Sequence, residues 1–195
     1  MLEIESKFRV DDAEDYAAKI RARFGVEFGP ETREDDLFFR CESLGFPEEG
    51  KSLRVRRRGE YLAVTFKGPK LDSATKTREE IELPLALDGR NVEDARETWI
   101  RFLTKLGFVP AASVAKSRRR AAVVYAGRSF EITLDRLDGV GVFTELETIA
   151  EEVEFERARE TTLEFARSLG LENPIVASYL ALALEAAIGT APDEK

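Results

Sequence analysis

The first ten residues alternate strictly between apolar and charged. Leu2, Ile4, Phe8 and Val10 share one face of an extended strand, and Glu3, Glu5 and Lys7 share the other, because successive side chains on a strand point to opposite sides. A period of two returns over Ser52–Arg58, Tyr61–Lys67, Thr75–Leu83, Phe108–Arg119, Arg120–Tyr125, Ser129–Leu137 and Gly141–Ala150, with shorter extended runs at Val26–Phe28 and Asp36–Arg40. Gly59-Glu60, Gly127 and Asp138-Gly139 supply tight turns, so neighbouring strands read as hairpins. Cys41–Lys51 reads as a loop, and Gly68-Pro69 opens another that runs to Ala74.

Helical spacing appears in four places. Asp12 precedes a stripe of Tyr16, Ala17, Ile20 and Phe24 that Gly25 closes. Asn91 precedes Val92, Ala95, Trp99, Phe102, Leu103 and Leu106, closed by Gly107. Glu152–Leu169 and Ile175–Ile188 finish the chain, separated by Gly170 and Asn173-Pro174. About eight strands on short turns, with helices at the start, middle and end, predict an α+β fold. The sheet is expected to be an eight-stranded antiparallel β-barrel with helices packed on its outside. One domain over residues 1–189 and a short polar tail over 190–195 account for the chain.

The direction of the strand faces decides what such a barrel contains. Arg54, Arg56 and Arg58 oppose Leu53 and Val55, and Lys67 opposes Leu62, Val64 and Phe66. Arg78, Glu80 and Glu82 oppose Ile81 and Leu83, and Lys116, Arg118 and Arg120 share a face. Glu131 and Asp135 oppose Phe130, Ile132 and Leu134, and Glu145 and Glu147 oppose Leu146. The helices carry wide apolar stripes that must cover something apolar. The apolar strand faces should therefore lie outward, beneath the helices, and the ionisable faces should line the lumen.

Composition narrows the chemistry. Acids outnumber bases 38 to 30, a net charge of −8 that argues against wrapping nucleic acid or lying on an anionic membrane. No signal-type or membrane-spanning apolar run is present, and a lone cysteine, Cys41, excludes an internal disulfide and fits a reducing, cytoplasmic setting. With no histidine, His-ligated zinc and Ser–His or Cys–His catalysis are excluded. What remains is oxygen and cationic nitrogen. Rows of arginine suit phosphate oxygens, since a guanidinium donates two parallel hydrogen bonds. Carboxylate pairs suit Mg²⁺ or Mn²⁺, which prefer hard oxygen donors. The two together are the halves of a site for a metal-bound phosphate chain. Taken singly, Arg56-Arg57-Arg58 could be a solvated basic run; its phase with the other inward cations favours the phosphate role.

The ordered motifs extend along nearly the whole chain: Glu3-x-Glu5-x-Lys7, Leu53-Arg54-Val55-Arg56, Thr65-Phe66-Lys67-Gly68-Pro69, Arg78-Glu79-Glu80-Ile81-Glu82, Lys116-Ser117-Arg118, Ile132-Thr133-Leu134-Asp135 and Phe143-Thr144-Glu145-Leu146-Glu147. In this order they resemble the CYTH superfamily of triphosphate tunnel metalloenzymes. Lys67-Gly68-Pro69, the run from Asp135 through Gly139 and Gly141 to Glu145, and the ending Ser178-Tyr179-Leu180 look most like its class IV adenylyl cyclases. The pair completed by Glu147 is more typical of the hydrolase members.

The resemblance implies an eight-stranded tunnel, a divalent cation (Mg²⁺ or Mn²⁺) and a triphosphate substrate. Position by position, it implies Glu3, Glu5, Glu145 and Glu147 as metal ligands, with Asp135 at or beside the metal. Lys7, Arg54, Arg56, Lys67, Arg78, Lys116 and Arg118 would hold phosphates, and Lys7, Lys116 and Asp135 would stand at the reacting centre. Glu80 and Glu82 would be structural or second-metal carboxylates. The implied activity is conversion of ATP to cyclic AMP and pyrophosphate. The alternatives are hydrolysis of tripolyphosphate, thiamine triphosphate or nucleoside triphosphates, and polyphosphate binding without turnover. A homodimer is compatible with the resemblance.

Overall fold

The computed structural model describes residues 2–47, 50–69 and 79–189. Eight strands, β1 (Leu2–Val10), β2 (Thr32–Arg40), β3 (Ser52–Arg58), β4 (Tyr61–Lys67), β5 (Glu80–Pro84), β6 (Val109–Tyr125), β7 (Arg128–Leu137) and β8 (Gly141–Ala150), form one sheet in the order β1-β8-β7-β6-β2-β3-β4-β5. Every pairing is antiparallel. The sheet curls into a half-barrel. Its edge strands β1 and β5 share no ladder among the described residues; they meet through side chains, Glu3 on β1 hydrogen-bonding to Glu80 on β5. The sheet is the eight-stranded antiparallel one the sequence predicted, curled so that its two edges approach at a side-chain seam.

Four helices accompany the sheet: α1 (Ala13–Phe24), α2 (Val92–Lys105), α3 (Phe155–Ser168) and α4 (Tyr179–Gly189). The first two begin where their caps predict. The Asp12 carboxylate accepts the amides of Glu14 and Asp15 at 2.8 and 2.9 Å, and the Asn91 side chain accepts the Asp94 amide at 2.9 Å. Gly25 ends α1 with φ +67°, a left-handed conformation that suits glycine.

The outward strand faces are apolar and covered, as the parity argument requires. Beneath α1 and α3, Phe8, Phe130, Ile132, Leu134 and Leu146 pack with Ile20 and Phe165. Beneath α2, Leu53, Val55 and Leu62 pack with Val92, Ala95 and Leu103. Each large side chain buried this way contributes roughly 1.5–3 kcal/mol. Cys41 is buried in the second cluster with Phe39 and Phe46.

Several elements differ from the sequence reading. The two strands expected at Phe108–Arg119 and Arg120–Tyr125 are one 17-residue strand, because no turn-forming residue interrupts Arg118-Arg119-Arg120. Val26–Phe28 is not a strand, and β2 begins earlier, at Thr32. A short 3₁₀ turn, Glu152–Glu154, precedes α3. Of the strand expected at Thr75–Leu83, residues 75–78 lie outside the described residues, as do Arg78, the loop to Ala74 and the tail over 190–195.

The largest difference is α4. It does not lie on the outer surface. Tyr179, Leu180, Leu182 and Ala183 pack with Phe38, Val114, Leu137 and Phe143. Those four strand residues share the parity of Asp36, Lys116, Asp135 and Glu145, so they face inward. At this end of the bore the inward positions turn apolar, and α4 seats against them.

Candidate functional site: an ionic bore

Register sorts the inward side chains into levels. Lys7 lies opposite Glu145, Glu5 opposite Glu147, and Glu131 opposite Glu147 on the other side. Arg118 lies opposite Asp135, and Asp36 opposite Arg56. Going away from α4, Lys7 gives way to Glu5 and Glu3 along β1, and Phe143 gives way to Glu145 and Glu147 along β8. The cavity these side chains line is about 800 Å³ and includes Glu5, Lys7, Arg54, Lys67, Lys116 and Arg118.

Two ion-pair systems organise the walls. In the first, Arg118 donates from Nε and Nη2 to the two Asp135 oxygens at 2.6 and 2.5 Å, and also reaches Glu145. Lys116 Nζ stands 3.5 Å from Asp135, and the Tyr179 phenol donates to Asp135 Oδ2 at 2.6 Å. The Tyr179 ring lies 4.0 Å from Lys7 Nζ and 4.8 Å from Lys116 Nζ, within cation–π range of both.

The second system centres on β2. Arg56 makes a two-pronged pair with Asp36, both contacts 2.7 Å, and Arg54 joins at 3.2 Å. Glu34, fully buried at 0 % exposure, accepts Arg120 at 2.5 Å and lies 3.2 Å from Arg56 and 3.4 Å from Lys116. Burial alone would raise both carboxyls. The surrounding cations win, holding Asp36 at about 2 and Glu34 well below the usual range: Lys116, Arg56 and Arg118 around Glu34, Arg54 and Arg56 around Asp36.

The expected metal ligands separate into groups. Carboxylate oxygens of Glu5, Glu145 and Glu147 all lie within 4.8 Å of one another. Glu3 stands apart from this trio, against Glu80 and Lys67, and burial lifts its carboxyl to about 7, with Glu80 and Glu5 adding to the rise and Lys67 opposing it. Asp135 is also outside the trio, held by Arg118, Lys116 and Tyr179. Burial pushes the Glu147 carboxyl well up despite Arg118, and the neighbouring Glu145, Glu5 and Glu3 reinforce this. Three buried or half-buried carboxylates this close repel one another, and hard oxygen donors at such spacing fit a Mg²⁺- or Mn²⁺-sized cation. Glu5, Glu145 and Glu147 are the residues that would hold it. Of the rest, Glu82 accepts Thr65 at 3.0 Å and Tyr61 at 3.3 Å, and Glu80 pairs with Lys67 and, at 3.8 Å, with Arg54.

Sequence reasoning missed Glu34, Asp36 and the internal position of Tyr179. The alternation Thr32, Glu34, Asp36, Phe38 is present in β2. Its signal was cancelled by Arg33 and Asp35 on the opposite face, which are surface residues, Arg33 pairing with Asp138. Arg119 and Arg57 likewise face outward, toward Glu14 and Glu93.

These opposed shifts predict an unusual acid profile for the metal-free protein. Glu3 and Glu147 bind protons more tightly folded than unfolded, so their contribution is present at low pH and lost as pH rises through about 7 for Glu3. Asp36 and Glu34 act oppositely, and theirs is lost as pH falls below about 4 toward the Asp36 value of about 2. Thermal unfolding without divalent metal should show Tm rising from about pH 8 to about pH 5 and falling below about pH 4. A Tm that increases steadily from pH 5 to 8 would contradict this.

A curled antiparallel sheet whose inner face gathers arginines, lysines and a carboxylate trio defines the tunnel class of fold. Residues 1–178 match the CYTH domain family model, and the chain belongs to that family. It is 31% identical over 185 residues to a Methanocaldococcus jannaschii protein with a provisional adenylate cyclase name, covering 93% of this chain and 98% of that one. It is 26% identical over 175 residues to the adenylate cyclase CyaB of Aeromonas hydrophila, covering 88% and 82%. A solved structure from Pyrococcus horikoshii superposes with a TM-score of 0.78 at 32% identity, covering 94% and 98%. A Hippeastrum protein, titled an adenylyl cyclase candidate with dominant triphosphatase activity, shares the fold at 18% identity and a TM-score of 0.64, covering 94% and 95%. No helix among the described residues is long and apolar enough to cross a membrane.

Proposed function

We propose that the bore binds the triphosphate of ATP and that the protein is a divalent-metal-dependent adenylyl cyclase of the class IV type, releasing cyclic AMP and pyrophosphate. The observation that carries this reading is the convergence of Lys7, Arg54, Arg56, Lys67, Lys116 and Arg118 on one cavity with the Glu5, Glu145 and Glu147 trio. The adenylate cyclase names of the relatives from M. jannaschii and A. hydrophila support it.

In the reaction the ribose 3′-hydroxyl gives its proton to solvent, its oxygen bonds to the α-phosphorus, the bond from that phosphorus to the bridging oxygen breaks, and the electron pair leaves on pyrophosphate. Lys7, Lys116, Arg54 and Lys67 face the growing negative charge of the leaving group, where prearranged cations stabilise the transition state more than the ground state. Asp135 and Tyr179 fix the positions of Arg118 and Lys116. A divalent cation bound by Glu5, Glu145 and Glu147 would supply Lewis-acid stabilisation and a lowered pKa for the attacking hydroxyl.

A second reading, hydrolysis of a triphosphate by water, is favoured by the Glu145 and Glu147 pair. Incubation of the pure protein with ATP, tripolyphosphate and thiamine triphosphate under Mg²⁺ or Mn²⁺ separates the readings. Cyclic AMP with pyrophosphate is the expected product. Orthophosphate alone would move the assignment to a triphosphatase, and binding without turnover would make the bore a polyphosphate-binding module.

A further inference from the structure

Arg118 is shared between two sets of carboxylates. Its Nε and Nη2 donate to Asp135, its Nη2 also donates to Glu145, and its Nη1 lies 3.8 Å from Glu147. Glu145 and Glu147 are two of the three carboxylates whose oxygens gather within 4.8 Å of one another. The guanidinium is buried with them, so it supplies the metal-free trio with a positive charge at close range.

Three partners therefore compete for one fork of N–H donors. A divalent cation at the trio needs the carboxylates that Arg118 holds, and a guanidinium left beside it repels it, since screening by water is weak in a buried site. Phosphate oxygens match the same fork in geometry and charge. Asp135 does not depend on Arg118 alone: Lys116 Nζ stands 3.5 Å from it and the Tyr179 phenol donates to it at 2.6 Å. The arginine can turn away without leaving that buried carboxylate bare.

We infer that Arg118 is an exchangeable counter-ion that couples the two ligands of the bore. Paired with Glu145 and Glu147, it opposes a divalent cation. Drawn off by a tetrahedral oxyanion, it hands those carboxylates to the cation. The inference rests on the reading that the trio holds a divalent cation and the bore takes phosphate groups, and adds a coupling between them. By linkage, the factor by which the anion tightens the cation is also the factor by which the cation tightens the anion. The exchange has a sign that a scaffolding role lacks. An arginine that merely held the carboxylates in place would, when removed, leave a weaker cation site; a competing arginine leaves a stronger one.

Mn²⁺ titrations followed by electron paramagnetic resonance, which reads free Mn²⁺ and needs no turnover, test this on the wild type, Arg118→Gln and Arg58→Gln. The glutamine amide at 118 can still donate to Asp135 but carries no charge. Arg58, on the same inward face, pairs with Glu34 at 4.0 Å and controls for the loss of one bore cation. Without anion, Arg118→Gln should bind Mn²⁺ about tenfold or more tighter than the wild type, and Arg58→Gln should stay within about threefold. In the wild type, millimolar sulfate, a stand-in for phosphate that chelates Mn²⁺ weakly, should tighten Mn²⁺ about fivefold or more; in Arg118→Gln the gain should be smaller. The sulfate measurement needs only the wild type and decides the question even if the variant does not fold. Unchanged or weaker Mn²⁺ binding in Arg118→Gln, equal tightening in Arg58→Gln, or no effect of sulfate on the wild type would overturn the exchange. Absence of Mn²⁺ binding in every protein, with and without sulfate, would reject the cation site itself and the exchange with it.

Discussion

Glu5→Gln should lower turnover of the preferred triphosphate by about 10³-fold or more, because a neutral amide at the centre of the trio removes most of the site's hold on a divalent cation, an interaction worth several kcal/mol to the transition state. The same change should leave the fold intact. Glu5 is buried beside Glu145 and Glu147, and replacing one carboxyl of this crowded acidic trio by an amide relieves the metal-free protein. Activity and stability therefore move in opposite directions. In the wild type, added Mg²⁺ or Mn²⁺ should raise Tm at about pH 7.5 through linkage, and in Glu5→Gln that rise should shrink or vanish. Two measurements check this: turnover in the variant, and Tm with and without metal. Full activity, or an undiminished metal-dependent rise in Tm, would remove Glu5 from the metal-holding group.

Glu34 should produce the largest loss of stability. It is fully buried, accepts Arg120 at 2.5 Å, and stands within 3.4 Å of both Arg56 and Lys116. Glu34→Gln keeps the shape and removes the charge, leaving Arg56, Lys116 and Arg120 to share, among the described residues, only Asp36, Asp135 and Glu131. Breaking a buried ion pair from one side costs about 3–5 kcal/mol, because the partner charge stays buried and unpaired. At this chain length that is a fall in Tm of roughly 6–20 °C. The defect has a specific remedy. Sulfate or tripolyphosphate entering the bore supplies the missing negative charge, so millimolar anion should restore more Tm to Glu34→Gln than it adds to the wild type. A variant as stable as the wild type, or one that anions do not rescue preferentially, would show that Glu34 does not balance the bore cations.

Much of this arrangement was legible in the sequence because strand parity is a strong signal when both faces have a purpose. Leu53, Val55, Ile132 and Leu134 could be assigned outward and Arg54, Arg56, Lys116 and Arg118 inward from spacing alone, and helix caps at Asp12 and Asn91 were readable from residue type. Only the Asp36–Arg40 half of β2 was legible, since Arg33 and Asp35 make the outer face of its first half as charged as the inner face. Spacing also could not show that Glu3 leaves the carboxylate trio for Glu80, because that depends on how the β1 and β5 edges approach across the seam. The seating of α4 escaped for a related reason. Its residues are apolar nearly all round, so no polar stripe announces which surface it covers, and the inward turn of Phe38, Val114, Leu137 and Phe143 is visible only once the register is known.

The seat of α4 makes the end of the chain part of the wall of the bore. Tyr179, at the start of the helix, donates to Asp135 and lies over Lys7 and Lys116. The last helix and the first strand therefore contribute to one cluster of charges although nearly the whole sequence separates them, and a change that unseats the helix disturbs cations at the opposite end of the sequence.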